Sequence, residues 1–260
     1  MNNKSPLRYP GGKTRACKII EAVLKDYTDI FKYKYLISPF FGVGSFEFYM
    51  QNKYNFDIIA NDKFRPLYNF WNMAKEQNAK LIAEIKKLKP ITKQQFKDYR
   101  DKIMDLQDPL LQAAWYFAIN RCSFSGATLS GGFSQQASEN RFTDSSITRV
   151  QNLDLSRFIF MNTDFGSMLP PPACAETLLF MDPPYYLEKG SKLYGKDGDM
   201  HENFDHQLLA LKLQKAKNWI LCYNDCPFIR NLYKNFTIVE VDWSYGMRTG
   251  KSSEILILSF

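Results

Sequence analysis

This sequence predicts an α/β sandwich on a mainly parallel sheet, with a mostly helical unit inserted into it. Three observations carry that expectation. Seven short, nearly continuous apolar runs are spread along the 260 residues, and helix-compatible stretches alternate with most of them. Carboxylates close three of the runs, at Asp62, Asp164 and Asp182, and sheets of this kind bind ligands at the carboxyl ends of their strands. Residues 65–153 break the alternation.

The first run begins at Tyr35 and leads through Ser38, Pro39 and Phe40 to Gly42, Gly44 and Ser45, where a helix can open. Glycines there let a backbone approach a ligand closely. A full dinucleotide fingerprint would need Gly or Ala at position 47, and this chain has Glu47. The second run, Phe56 to Asp62, ends in an acid about 20 residues past the glycines, the spacing of a ribose-binding carboxylate. Together they read as a nucleoside-binding half-site without a pyrophosphate clamp. Phe158 to Asp164, Thr177 to Asp182, Trp219 to Tyr223, Thr237 to Trp243 and Glu254 to Phe260 supply the other strands. Helical apolar spacing recurs over Lys13 to Asp26, Asp205 to Ala216 and Pro227 to Lys234.

The inserted segment reads as helices over Phe64 to Glu76, Ala79 to Leu88, Thr92 to Leu106 and Asp108 to Cys122. A polar loop without secondary structure is expected from Ser123 to Ser146. That loop and its flanks carry Arg121, Ser123, Gln135, Gln136, Asn140, Arg141 and Arg149, donors and acceptors that suit phosphates and base edges. Arg121 could equally cap its own helix.

The most informative segment is Asp182-Pro183-Pro184-Tyr185, placed where an apolar run ends. Asp182 can accept one N–H of a planar amino group, and the Pro183 carbonyl can accept the other. Tyr185 offers a face for a ring to stack on. Such a group draws a nucleobase amine out of conjugation so that its nitrogen can attack an electrophile. A strand running into a Pro-rich turn is the bland alternative.

Composition and charge suggest a polyanionic partner. The chain is 45% hydrophobic, enough for one sizeable core, and its formal charge is +7. Residues 65–153 hold thirteen basic against eight acidic side chains, and residues 1–32 hold seven against three. A solvated lysine face accounts equally well for Lys80, Lys86, Lys87, Lys89 and Lys93. No apolar run approaches a membrane span of about 18 residues and no signal-peptide core stands at the start, so a soluble, cytoplasmic protein is expected. The five cysteines form no Cys-x-x-Cys pair, and reduced, structural thiols are expected.

With these residues in view, the chain resembles the Dam-like (α-group) DNA adenine-N6 methyltransferases over nearly its whole length. Pro6 to Lys13 is similar to that family's N-terminal cofactor motif, Ser38 to Ser45 to its Gly-rich loop, and Asn61-Asp62 to its ribose-binding acid. Asn162 to Phe165 is similar to its adenine-contacting segment and Asp182 to Tyr185 to its catalytic motif. The resemblance implies a Rossmann-like class I methyltransferase sandwich, with a catalytic domain of residues 1–64 and 154–260 and a target-recognition domain inserted at 65–153. It implies S-adenosyl-L-methionine as methyl donor, S-adenosyl-L-homocysteine as product, and no metal. Tyr9, Pro10, Gly11, Gly12, Lys13, Pro39, Phe40, Gly42, Gly44, Ser45, Asp62, Asp164, Phe165 and Asp182 would hold the cofactor. Asp182, Pro183, Pro184 and Tyr185 would serve the target base. Arg8, Asn120, Arg121, Ser123, Arg141, Arg248 and Lys251 would meet double-stranded DNA. The stretch carrying Arg248 and Lys251 can instead close over the cofactor or only connect two strands. Where the family usually has Glu-Pro-Phe, this chain has Ser38-Pro39-Phe40. A monomer or weak dimer, of bacterial, phage or viral origin and paired with a restriction endonuclease, completes the expectation.

Other chemistries fit less well. Gly12-Lys13-Thr14 looks like the end of a phosphate-binding loop, but position 7 is Leu and no strand precedes it. A cytosine-C5 methyltransferase would need a Pro-Cys dipeptide, which is absent. His201-Glu202 does not make a zinc deaminase signature. Cytosine-N4 methylation and a non-catalytic nucleic-acid-binding module on the same fold remain as alternatives.

Overall fold

The computed structural model describes residues 3–9, 13–171, 174–186, 204–243 and 252–260. Seven strands form one sheet: β1 (Tyr35–Ser38), β2 (Asp57–Asn61), β3 (Phe158–Met161), β4 (Thr177–Met181), β5 (Trp219–Asn224), β6 (Thr237–Trp243) and β7 (Ser252–Leu258). All seven coincide with the apolar runs. Their order is β3-β2-β1-β4-β5-β7-β6; β1 to β5 run parallel, and β7 is antiparallel to both β5 and β6.

The chain works outward from β1 to β2 and β3, then returns to lay β4 on the other side of β1, with Ile37 beside Leu179. That reversal opens a crevice beyond the carboxyl ends of β1 and β4. The end of β1, which leads through Ser38 to the glycines, and the end of β4, which leads to Asp182, are neighbours there.

Both faces of the sheet are covered, which is why its strands are apolar throughout. Every residue of β4 is buried. Leu178 and Phe180 pack into one core cluster, and Leu179 and Met181 into the other. On the first side lie α1 (Cys17–Tyr27) and α2 (Ser45–Tyr54); Phe46 of α2 lies 4.2 Å from Phe180, centroid to centroid.

The segment between β2 and β3 opens with four helices: α3 (Arg65–Glu76), α4 (Asn78–Lys87), α5 (Lys93–Lys102) and α6 (Pro109–Cys122). Asp108 caps α6 by accepting the N–H groups of Leu110 and Leu111, and Thr92 caps α5 in a capping box with Gln95. Phe70 of α3 stacks on Phe117 of α6, and Trp71 stacks on Phe160 of β3 and meets Phe41 edge-on. One core therefore runs from the sheet into these helices.

The expectation of a structureless loop over Ser123 to Ser146 is corrected. Two single 3-10 turns (Phe124–Gly126 and Thr128–Ser130) lead into α7 (Gln135–Arg141) and α8 (Asp144–Gln151). Ser134 caps α7, and Thr143 caps α8 in a box with Ser146. The composition that looked like a loop is the composition of caps, which sequence pattern alone does not separate from turns. Short helices α9 (Phe165–Met168), α10 (His206–Leu213) and α11 (Pro227–Leu232) lie between the later strands. Among the described residues no helix is long and apolar enough to cross a membrane.

Candidate active site

The Gly-rich loop is built by backbone geometry. Gly42 and Gly44 hold φ of +54° and +70°, where side chains are disfavoured. A Cβ on Gly44 would sit 2.4 Å from the Phe41 ring, whereas one on Gly42 would meet nothing within 4 Å. Asp62, at the end of β2, accepts the Gly42 N–H at 3.0 Å and the Phe64 N–H at 2.9 Å. Burial pushes its carboxyl up to about 6, against these two bonds. Two accepted bonds leave lone pairs for a hydroxyl. Buried Asn61 ties the strand ends together, donating to the carbonyls of Pro39 and Thr163 and accepting the Thr163 N–H.

Beside this loop, Phe40, Phe165 and Phe204 form an aromatic wall, with centroids 5.2–5.5 Å apart. Asp164 caps α9 through the Gly166 N–H. It lies near the surface, where a hydrogen bond from Lys63 at 2.8 Å holds its carboxyl below the usual range.

Asp182 leaves β4 at the crevice. Lys13, nearly buried, places Nζ 3.0 Å from Asp182 Oδ1 and donates to the Tyr185 hydroxyl at 2.6 Å. The ammonium also stands 4.8 Å from the Tyr185 ring centroid. Burial raises the Asp182 carboxyl, the neighbouring Glu254 adds to the rise, and Lys13 opposes it. Tyr185 packs near Tyr223, whose hydroxyl pairs with His206 Nδ1 at 2.6 Å. The Tyr186 carbonyl accepts from Asn224 at 2.8 Å, which anchors the chain just past the motif.

Two acids escaped the sequence reading. Ser38 donates its hydroxyl to Glu47 at 2.5 Å, both side chains being buried. Burial pushes the Glu47 carboxyl up to about 8, so it is mostly protonated at neutral pH. The Ser-Pro-Phe departure is thus coupled to a carboxyl one turn into α2. Glu47 was visible in the sequence only as a mismatch to a glycine fingerprint. The second acid is Glu254, the one ionisable residue of an otherwise apolar C-terminal run, and it is buried beside Tyr185.

Residues expected at DNA divide into two groups. Asn120 is fully buried and clamps Arg8, accepting its N–H and donating to its carbonyl. Arg121, 7% exposed, donates to the carbonyls of Arg141 and Pro6. Ser123, also buried, donates to the Asn120 carbonyl and accepts the Thr128 N–H. These three side chains brace the loop from inside. Arg8 is half-buried and Arg141 and Arg149 are exposed. Burial pushes the Arg121 guanidinium down to about 10, and Arg8, Arg149 and Arg141 push it the same way. Phe124, 67% exposed, follows Ser123, whose carbonyl accepts from the Arg8 guanidinium; its position after Asn120-Arg121 gave no signal because a lone exposed aromatic has no period. Pro10, Gly11, Gly12, Arg248 and Lys251 lie outside the described residues.

The set fits the cofactor expected from sequence. A glycine turn with open space, a carboxylate with lone pairs to spare and an aromatic wall suit a nucleoside, and a crevice rich in buried acids suits a cation. Among the described residues no cluster of three or more His, Cys, Asp or Glu stands ready for a metal ion. The D12 class N6 adenine-specific DNA methyltransferase family matches residues 9–247. The chain is also 24% identical to the Type II methyltransferase M.MjaIII of Methanocaldococcus jannaschii, over 93% of this chain and 91% of that protein.

Proposed function

This chain belongs to the D12 class N6 adenine-specific DNA methyltransferase family and methylates adenine N6 in DNA with S-adenosylmethionine as cofactor; within that activity, we propose that Asp182 to Tyr185 receive one adenine flipped out of duplex DNA. The observation that supports this reading is the pairing of β4, which ends at Asp182, with β1, which leads into the Gly42–Gly44 turn, at the point where the sheet reverses. The Asp182 carboxylate accepts one N6–H and the Pro183 carbonyl the other, which moves the nitrogen toward tetrahedral geometry and frees its lone pair. Tyr185 stacks on the base. Flipping is needed because N6 is shielded in the stacked duplex.

The cofactor supplies an electrophilic methyl group on a sulfonium. Asp62 would hold ribose hydroxyls, Phe40 and Phe165 would lie by its adenine, and Tyr9, Lys13, Ser45 and Asp164 would complete the seat. Much of the acceleration is positioning and local electrostatics. Asp182 stabilises the positive charge that develops on N6, and the surplus N6 proton passes to water after transfer instead of being taken from the neutral amine beforehand.

Arg8, Arg141 and Arg149 approach phosphates, and exposed Phe124 offers a ring to a base step. Residues 65–153 serve target recognition on this reading. Because M.MjaIII is a Type II methyltransferase, pairing with a restriction endonuclease is part of the proposal. The test is transfer of labelled methyl from S-adenosylmethionine to mixed-sequence duplex DNA, followed by nucleoside mass spectrometry. N6-methyladenine with the wild type and none with Asp182→Ala is the expected result; an active Asp182→Ala variant would remove Asp182 from the chemistry.

A further inference from the structure

Lys13 poses an electrostatic problem for the site. Its ammonium lies 3.0 Å from the carboxylate that has to stabilise positive charge on the reacting nitrogen. By themselves Lys13 and Asp182 sum to zero, and a neutral pair does little for a developing cation. The structure holds a third charge against this pair. Glu254, on β7 opposite Asn224 of β5, is 2% exposed. Its Oε2 accepts the Tyr185 hydroxyl at 2.5 Å and stands 3.5 Å from Lys13 Nζ. Among the described residues its Oε1 has no hydrogen-bond partner, and neither has Asn224 Oδ1. The pocket behind the motif is therefore rich in acceptors and carries a surplus negative charge.

We infer that Glu254 is a positioning residue for methyl transfer: it neutralises Lys13 and seats the Tyr185 hydroxyl, so that a net negative charge stays at the nitrogen Asp182 serves. A carboxylate buried to this degree is tolerated because Lys13 and Tyr185 contact it, and removing its charge takes away one of the two carboxylates that the Lys13 ammonium faces among the described residues. Within the same network Tyr185 accepts from Lys13 and donates to Glu254, which fixes the ring that stacks on the base.

The inference rests on Asp182 acting as proposed, so wild type and Asp182→Ala are run first; methylation by the wild type that Asp182→Ala abolishes upholds that reading whatever Glu254 does. Glu254→Gln keeps shape and hydrogen bonding but not charge. It is expected to lower kcat by roughly tenfold or more while the Kd for DNA is unchanged. Glu254→Asp, which keeps the charge, should recover part of the loss. Among the described residues, the groups facing Asp182 are Lys13, Tyr185, Glu254, Glu47 and Cys222. Taking the charge from Glu254 removes one that holds the Asp182 carboxyl up, so the acid limb of the kcat profile should move to lower pH. Lys13→Met combined with Glu254→Gln should be no slower than Lys13→Met alone, because the charge that Glu254 answers is gone. Full kcat in Glu254→Gln, an unmoved acid limb, or strictly additive losses in the double variant would overturn the inference. Should Glu254→Gln fail to fold, Glu254→Asp and the double variant decide by the same readings.

Discussion

Asp182 is pulled two ways, since burial disfavours its charge and the Lys13 ammonium restores it. Asp182→Ala removes the acceptor and is expected to abolish transfer while DNA affinity stays near wild type, which a binding titration beside the methylation assay checks. Among the described residues Glu47 forms no ion pair with a cation, and the Ser38 hydroxyl donates to it. Its folded-state value of about 8 lies above the ordinary 4.5, so the folded chain keeps a proton that the unfolded chain gives up across that window. Stability contributed by the protonated form is therefore present at low pH and lost as pH rises toward 8. Glu47→Gln should match the wild type near pH 4 and exceed it by on the order of 2–4 kcal/mol at pH 8, measured by thermal melts across pH; a constant difference would refute burial of the charge. Arg121 differs again, because its donors are already used inside the protein. Arg121→Ala leaves the Pro6 and Arg141 carbonyls without their donor, at a cost of about 2–3 kcal/mol, seen as a fall in Tm. An unchanged Tm with altered target choice would return Arg121 to base reading.

The β1–α2 turn shows how an element can depend on one atom. Gly42 and Gly44 share the same kind of backbone, yet only Gly44 lies against an aromatic ring. Gly42→Ala is expected to cost about 1–2 kcal/mol from backbone strain alone. Gly44→Ala adds a collision with Phe41 and should cost clearly more, with weaker S-adenosylmethionine binding by calorimetry. Equal melts for the two variants would mean that Phe41 moves aside freely. α7 and α8 teach the opposite lesson. Their polar residues are caps, and buried Ala137, Ile147 and Val150 hold them down. Few apolar positions over seven or eight residues make too weak a periodicity to recognise beforehand.

Across the whole molecule, basic charge gathers where the inserted helices meet the N-terminal segment, around Arg8, Arg141 and Arg149. These cations push one another's charge, as the lowered Arg8 shows, its burial being the larger cause and Arg141 the second. Such a cluster is relieved by phosphates. Arg141→Ala is expected to weaken DNA binding about equally on all sequences and to flatten the salt dependence by roughly one unit of slope. A loss confined to one sequence would make Arg141 a base contact instead. Packed rings run from Phe160 of β3 through Trp71 and Phe70 of α3 to Phe117 of α6.

The sequence by itself determined the strands, their burial on both sides and the residues at their carboxyl ends. Apolar runs and strand-ending acids are local patterns, and local patterns survive without neighbours. Asp62, Asp182 and the glycines were legible for that reason. Only the tertiary structure decided what each side chain has left to offer. Whether Arg121 reads a base or holds two carbonyls depends on Pro6, far away in the chain, arriving beside it. Ser38 looked like a lost acid until folding set Glu47 against it. Glu254 looked like a polar break in a last strand until the antiparallel insertion of β7 brought it to Lys13 and Tyr185. Hydrogen-bond partners and buried charge are properties of contacts between distant segments, and no spacing along the chain encodes them.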